Sequence, residues 1–280
     1  MLILACAPLG NPGDATTRLR EVIVSAKFIA AEDSRKLTRL AHDLGVVYTG
    51  KVISYFEGNE SERLDQLTEI LESGEDLLVI TDAGAPGVSD PGYRLIRVAI
   101  EKNIEIKVLP GPSAPVTALL LSGVPTDRFC FEGFTPRTSG TRKAWFEDLA
   151  EEERTIIFFE APHRLKESLL DACDVFGNER MGAICREMTK TYEETIRGTL
   201  GELLAWSTDR EILGEITVVL HGFDASSKSY SGDELVSMVL ARESAGESRK
   251  DAISAVAKQL DLPKRQVFDA LVAHKSADKI

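Results

Sequence analysis

Along the first two-fifths of the chain, short apolar runs alternate with stretches whose apolar residues recur every three or four positions. LILAC (2–6) is the first run. After it, Asp14 is placed to cap a helix with Leu19, Val22, Ile23 and Ala26 on one face. KFIAAED (27–33) is the second run, and a helix follows through Leu64, Leu67, Ile70 and Leu71, stopping near Gly74. LLVIT (77–81) and IEIKVL (104–109) complete the series. Strands that alternate with helices predict an α/β layer built on a largely parallel sheet.

PGPSAP (110–115) interrupts this rhythm, because three prolines in six residues fit neither a helix interior nor a central strand. The runs resume as FCFEGF, TIIFFE, AICREM and EITVVL with helical segments between them. Some of these runs are joined by short connections, so the second layer reads as mixed or antiparallel. The expected organisation is an N-terminal α/β domain over 1–112, a second α/β domain over 113–224 and a helical extension over 225–280. ASSKSYSG (225–232) is the polar linker into that extension. Three helical patterns follow, marked by Leu235, Met238 and Val239; by Ile253, Val256, Ala257 and Leu260; and, after Pro263, by Val267, Phe268, Leu271 and Val272. The last two resemble a helix-turn-helix.

Composition narrows the possibilities. A chain of 280 residues, 43% of them hydrophobic, has enough apolar material for more than one domain. No apolar run approaches the roughly 18 residues of a membrane span, and MLILACAPLG lacks the basic start of a secretory leader. These features predict a cytoplasmic protein with no membrane association. Cys6, Cys130, Cys173 and Cys185 are scattered and read as reduced core residues. His42, His163, His221 and His274 form no ligand spacing, so no metal site is expected. The net charge of −12 argues against broad electrostatic binding to nucleic acid. It leaves room for a local basic face. From Ser226 onward nine Lys and Arg stand against eight Asp and Glu, so the acidic excess lies upstream.

The loops after the apolar runs hold the candidate chemistry. TDAGAPGVSDPGYR (81–94) places three glycines, two prolines and two aspartates behind a buried strand. Gly84 and Gly87 allow close approach of the backbone to a bound molecule. Pro86 and Pro91 stiffen the loop, and Asp82 and Asp90 can accept hydrogen bonds; a self-satisfied turn is the competing reading. APLGNPGD (7–14) is a strand-to-helix turn of the kind that borders ligands at strand ends, though it carries no dinucleotide fingerprint. EAPHRL (160–165) sets Glu160, His163 and Arg164 at the end of another run. His163 could serve as a general base, or could simply be exposed. Arg186, Glu187, Thr189 and Lys190 cluster in the same way after AIC. No P-loop, Gly-x-Ser-x-Gly or paired catalytic carboxylates occur.

Taken in order, APLGNPGD, AAEDSR, SYFEGNE, TDAGAPGVSDPGYR, LPGPSA, SGVPTDRFCFEGFTPR, FFEAPHRL, CREMTKTYEE, RGTL and GEITVVLHG closely resemble the ribosomal RNA small subunit methyltransferase I family of the tetrapyrrole methylase superfamily. The likeness spans about residues 1 to 223, and SRKDAISAVAKQLDLPKRQVFDAL resembles the family's C-terminal extension. It implies two α/β domains with S-adenosyl-L-methionine in the cleft between them. The implied reaction is 2′-O-methylation of cytidine 1402 in 16S rRNA of the small ribosomal subunit, by a homodimer.

The resemblance assigns cofactor contacts to Pro8 and Leu9, to Asp82, Gly84, Ala85, Pro86 and Val88, to Ser113 and Ala114, and to Glu160, Ala161, Met188, Gly214 and Glu215. Ala7, Pro12, Ala85 and Gly87 depart from the family's usual residues, which puts individual side-chain bonds in question rather than backbone contacts. At strand ends beside the expected cleft, Glu32, Asp33 and Glu160 are candidate acceptors of the 2′-hydroxyl proton. Arg18, Arg35, Arg94, Arg137, Arg164 and Lys190 are candidate RNA contacts; for each, a surface charge or a structural ion pair is the alternative. Two rival readings remain: a precorrin-type methyltransferase on the same fold, and a non-catalytic nucleic-acid-binding regulator acting through the C-terminal helices.

Overall fold

The computed structural model describes residues 1–208, 210–224, 231–260 and 262–277. Most of the linker expected at 225–232 lies outside the described residues. The chain divides into two compact units, Met1–Gly222 and Phe223–Ile280.

The first unit opens with a five-stranded sheet. Leu2–Ala5 (β1), Phe28–Ala31 (β2), Lys51–Ser54 (β3), Leu77–Ile80 (β4) and Ile106–Leu109 (β5) pair in the order β3-β2-β4-β1-β5. Every pairing is parallel. The central strands β1 and β4 are buried at all four positions, as expected when helices cover both faces. Side chains alternate between two cores: Ile3 and Ala5 join one, Leu2 and Leu4 the other.

The helices Thr17–Ser25 (α1) and Ser34–Asp43 (α2) supply Leu19, Ile23, Leu37 and Ala41 to the first core. Glu60–Glu72 (α3) and Tyr93–Glu101 (α4) supply Leu67, Leu71, Leu95 and Ala99 to the second. Fully burying one such leucine contributes about 1.5–3 kcal/mol. Two details differ from the sequence reading. Thr16 caps α1, its hydroxyl accepting the Leu19 N–H at 3.1 Å, because Asp14 is taken up in a 3₁₀ turn from Pro12 capped by Asn11. The edge strand β3 has only Ile53 buried, which leaves too weak an apolar signal to read.

The second sheet comprises Phe129–Phe134 (β6), Thr155–Glu160 (β7), Met181–Arg186 (β8), Glu194–Thr199 (β9) and Ile216–Leu220 (β10) in the order β6-β7-β10-β8-β9. β6 and β7 are parallel and the other pairings antiparallel, the mixed arrangement expected. β9 escaped the sequence reading because ETIRGT is polar and, at the sheet edge, buries only Gly198 fully. Ala114–Ser122 (α5) packs Ala118 and Leu119 on one face, against Ile157, Cys185 and Val219. On the other face, Ser139–Asp148 (α6), Leu165–Phe176 (α7) and Leu200–Thr208 (α8) enclose Phe146, Phe158, Leu169 and Leu203. Within this layer the guanidinium of Arg142 is buried against Asp171 at 2.6 Å. All four cysteines are buried and free.

The second unit holds Gly232–Ser244 (α9), Arg249–Gln259 (α10) and Lys264–Ala277 (α11). Ser231 and Glu234 form a reciprocal capping box at the start of α9. Leu235, Val239, Ile253, Val256, Val267 and Leu271 form the unit's own core. Among the described residues, no helix is long and apolar enough to cross a membrane.

Candidate active site

Strand polarity decides where the polar loops gather. In a parallel sheet every strand ends on the same side, so the segments after β1, β2, β4 and β5 converge. β7 and β8 end, and β10 begins, beside them. Together these segments line a cavity of about 340 Å³, within the range of small-molecule sites.

Leu9 enters from the β1 turn, Glu32 from the end of β2, Asp82 to Asp90 from the long loop, and Ser113 and Ala114 from the start of α5. Phe134, Phe159, Glu160, Ala161, Pro162, Met188 and the 214–217 segment close it from the second layer. The long loop is pinned by its backbone. The Ala7 N–H donates to the Gly84 carbonyl at 2.8 Å, and the Gly84 N–H returns to Ala7 at 3.0 Å. Gly84 sits at φ 68°, in the left-handed region that side chains resist.

The floor of the cavity is a charged knot. Glu160, 2% exposed, receives the Arg164 guanidinium at 2.6 Å and the Ala161 N–H at 2.7 Å. Thr135 and Ser168 donate their hydroxyls to its second oxygen. All four donors point at one carboxylate, which satisfies the charge without water.

The wall is acidic. Glu32, Asp82, Asp90 and Glu215 line it, with Lys36 as the cation among them. Lys36 donates to Asp82 at 2.8 Å, a bond that holds the ammonium pKa above its usual value. Glu32 accepts the Asp82 N–H at 3.0 Å; burial raises its carboxyl pKa against that bond. Burial, then the like charges of Glu32, Asp82 and Glu215, push Asp90 up to about 7. Such a wall suits a ligand with fixed positive charge, while Leu9, Val88, Pro162 and Met188 offer it apolar surface.

The mouth carries strained backbone. Glu187 and Thr189 have φ of 51° and 66°, and Ser89 has 60°. Strain of this kind persists where surrounding contacts enforce it. Here the Asn11 N–H donates to Thr189 Oγ1 at 3.2 Å, and Lys190 bonds both Glu187 and Glu215. The stem of Lys190 crosses Gly10 where a Cβ would collide with it.

Of the residues assigned to the cofactor, Leu9, Asp82, Gly84, Ala85, Val88, Ser113, Ala114, Glu160, Ala161, Met188, Gly214 and Glu215 line the cavity. Pro8 and Pro86 sit in the same two loops behind that lining. Glu32 and Glu160 reach the cavity; Asp33 caps α2 and pairs with Arg35 at 2.8 Å beside a separate small hollow. The proposed RNA contacts are dispersed. Arg94 lies 3.5 Å from Glu60, Arg164 and Lys190 are tied as described, and Arg18 and Arg137 are exposed with no ion pair among the described residues. His163 is exposed. Lys36, Asp90, Phe134, Phe159 and Thr217 line the cavity without having been assigned to it. Only Asp90 had a signal of its own, as the second aspartate of the glycine- and proline-rich loop.

The family profile for Tetrapyrrole (Corrin/Porphyrin) Methylases matches residues 1–204. A ribosomal RNA small subunit methyltransferase I of Mycobacterium bovis is 44% identical over 97% of this chain and 94% of its own length. One of Synechocystis is 38% identical over 96% of both. Among solved structures, uroporphyrin-III C-methyl transferase from Thermus thermophilus complexed with S-adenyl homocysteine shares the fold, with a TM-score of 0.54 and 15% identity over 78% of this chain and 95% of that one.

Proposed function

The chain belongs to the ribosomal RNA small subunit methyltransferase I family of tetrapyrrole methylases, and from that premise we propose that it methylates the 2′-oxygen of cytidine 1402 in 16S rRNA. It is an S-adenosylmethionine-dependent rRNA methyltransferase; the nucleotide and the oxygen are part of the proposal. One observation carries the reading of the cavity. Five carboxyl groups, Glu32, Asp82, Asp90, Glu160 and Glu215, line the cavity together with apolar Leu9, Val88, Pro162 and Met188, and this lining fits a ligand that joins a sulfonium and an ammonium to a flat adenine. When bound, that group supplies an electrophilic methyl.

The chain's own residues hold and orient. The Gly84–Ala85 backbone, pinned to Ala7, and the α5 start at Ser113 and Ala114 form one side of the grip. Met188, Ala161 and Gly214 form the other. The Glu160–Arg164 knot keeps the floor rigid, and Lys36 keeps Asp82 in place. Alignment of this kind can supply much of the rate for an already electrophilic methyl.

RNA contact is assigned first to Arg18 and Arg137, since the other four candidates already hold carboxylates or, in the case of Lys190, bind the cavity's rim. The active unit is proposed to be a cytoplasmic homodimer; Leu120, 72% exposed, and Val116 lie one turn apart on α5 and offer apolar surface for a second copy. A precorrin-type substrate is the weaker alternative, because the likeness to a cobalt precorrin-4 methyltransferase is one of fold alone at 15% identity. The test is methyl transfer from labelled cofactor to small subunits that lack this modification. Nuclease-resistant label at cytidine 1402 supports the proposal. Label at another nucleotide or on a base overturns its finer part.

A further inference from the structure

We propose that Asp90 is the catalytic base that takes the proton from the attacking ribose hydroxyl. The inference rests on the preceding reading of the reaction and adds a residue to it. Three carboxylates at strand ends were candidates for this task, and each is already engaged. Glu160 is saturated by Arg164, Ala161, Thr135 and Ser168. Asp33 holds Arg35 through both oxygens and caps α2. Glu32 accepts the Asp82 N–H. Asp90 lines the cavity and accepts no hydrogen bond among the described residues.

Its presentation is fixed. The Gly87 N–H donates to the Pro91 carbonyl at 3.1 Å and the Val88 N–H to Ala85 at 3.2 Å, so the loop closes on itself around Asp90. Ser89 immediately before it is held at φ 60°, and Pro91 immediately after it has a fixed φ. A loop strained and cross-linked in this way presents one side chain instead of sampling several.

The charged groups facing Asp90 are Glu32 from the end of β2, Asp82 from its own loop, Glu215 before β10, and Lys36 from α2. The carboxylates oppose its ionisation and Lys36 favours it. A proton-accepting group poised near 7 is matched to work at neutral pH. A fixed positive charge entering this wall draws Asp90 toward its ionised form before the hydroxyl arrives.

The step balances. The ribose oxygen forms the O–CH₃ bond as the S–CH₃ bond breaks, sulfur keeps that electron pair, and the hydroxyl proton passes to an Asp90 oxygen. The products are the 2′-O-methyl ribose, a neutral thioether and a protonated Asp90, which returns its proton to water.

The test uses the full-length enzyme with small subunits lacking the modification. Asp90→Asn is expected to lower kcat by about a hundredfold or more, with the Kd for S-adenosylhomocysteine within about threefold of wild type. Asp90→Glu is expected to recover part of the rate and to shift the acid limb of the kcat–pH profile. Independently of turnover, the carboxyl-carbon NMR signal absent from the Asn variant should titrate near neutrality in the ligand-free protein and at lower pH once S-adenosylmethionine is added. A kcat within about threefold of wild type in Asp90→Asn overturns the proposal. So does a loss confined to cofactor affinity. If the Asn variant does not fold, the Glu variant decides: an acid limb identical to wild type overturns the assignment. No label transferred by the wild-type enzyme would overturn the rRNA reading and this inference together, whereas an active Asp90→Asn overturns this one alone.

Discussion

The Arg164 guanidinium lies 2.6 Å from the Glu160 carboxylate, which is itself buried beneath the cavity with three further donors on it. The pair links the end of β7 to the start of α7. Removing Arg164 leaves a fully buried Glu160 side chain without its cation.

Glu160→Ala should therefore destabilise the protein by about 3–5 kcal/mol, the cost of breaking a buried pair. Glu160→Gln keeps the shape and the acceptor oxygen and should cost less. Urea denaturation at neutral pH measures both. A loss below about 1 kcal/mol for Glu160→Ala would contradict a structural role for this carboxylate.

The Arg142–Asp171 pair behaves alike in a site remote from the chemistry. Its side chains are 1% and 5% exposed. Asp171→Ala and Arg142→Ala should each cost about 3–5 kcal/mol, and the double variant less than their sum, because no charge is then left without its partner. A double-mutant cycle on urea midpoints checks this.

Gly84 tests the cofactor grip. Its φ of 68° makes Gly84→Ala strained by about 1–2 kcal/mol, although the nearest atom to an added Cβ is Leu9 Cδ2 at 3.8 Å. The conflict is thus one of backbone conformation more than of space. Titration calorimetry should show weakened S-adenosylmethionine affinity, with thermal stability only modestly lowered.

Asp90 also makes a prediction about stability. Its folded pKa, about 7, lies above its ordinary 3.8. The protonated form is favoured in the fold, so its contribution is fully present below about pH 4 and is lost as pH rises through about 7. Asp90→Asn removes that loss. The variant should match wild type in Tm near pH 4 and exceed it at pH 8. Equal Tm differences at both values would refute the raised pKa.

Arg18 and Arg137 carry the RNA prediction. If each neutralises one phosphate, substitution by Ala should weaken small-subunit binding and reduce the salt slope of log K by about 1. Filter binding across a salt series distinguishes this from a loss of fold, which would abolish binding at every salt concentration.

The apolar runs were enough to locate β1, β2 and β4 and the inner strands β7, β8 and β10, because central strands covered on both faces are apolar at nearly every position; β5 and β6, although at sheet edges, were found because IEIKVL and FCFEGF still carry apolar runs. The edge strands β3 and β9 stayed hidden, since a strand with one neighbour and an open flank needs few apolar residues. Asp14 was misread as a cap because spacing alone cannot tell that Pro12 would start a 3₁₀ turn and pass the capping task to Thr16.

The same division runs through the site. The order of the polar loops, and with it the family and the chemistry, is a property of the chain as written, since short-range turn chemistry and apolar spacing are local. Which carboxylate is free is decided at long range. Glu32, Asp33, Asp82, Asp90 and Glu160 are equivalent as letters. The Arg35 bond to Asp33 and the Arg164 bond to Glu160 span only two and four residues, but only folding brings Thr135 onto Glu160 and Lys36 onto Asp82 and leaves Asp90 facing the cavity amid like charges. The charges and bonds around the cavity come from distant neighbours, such as Glu215, whose charge acts on Asp90 across 125 residues of chain, and no local pattern encodes them.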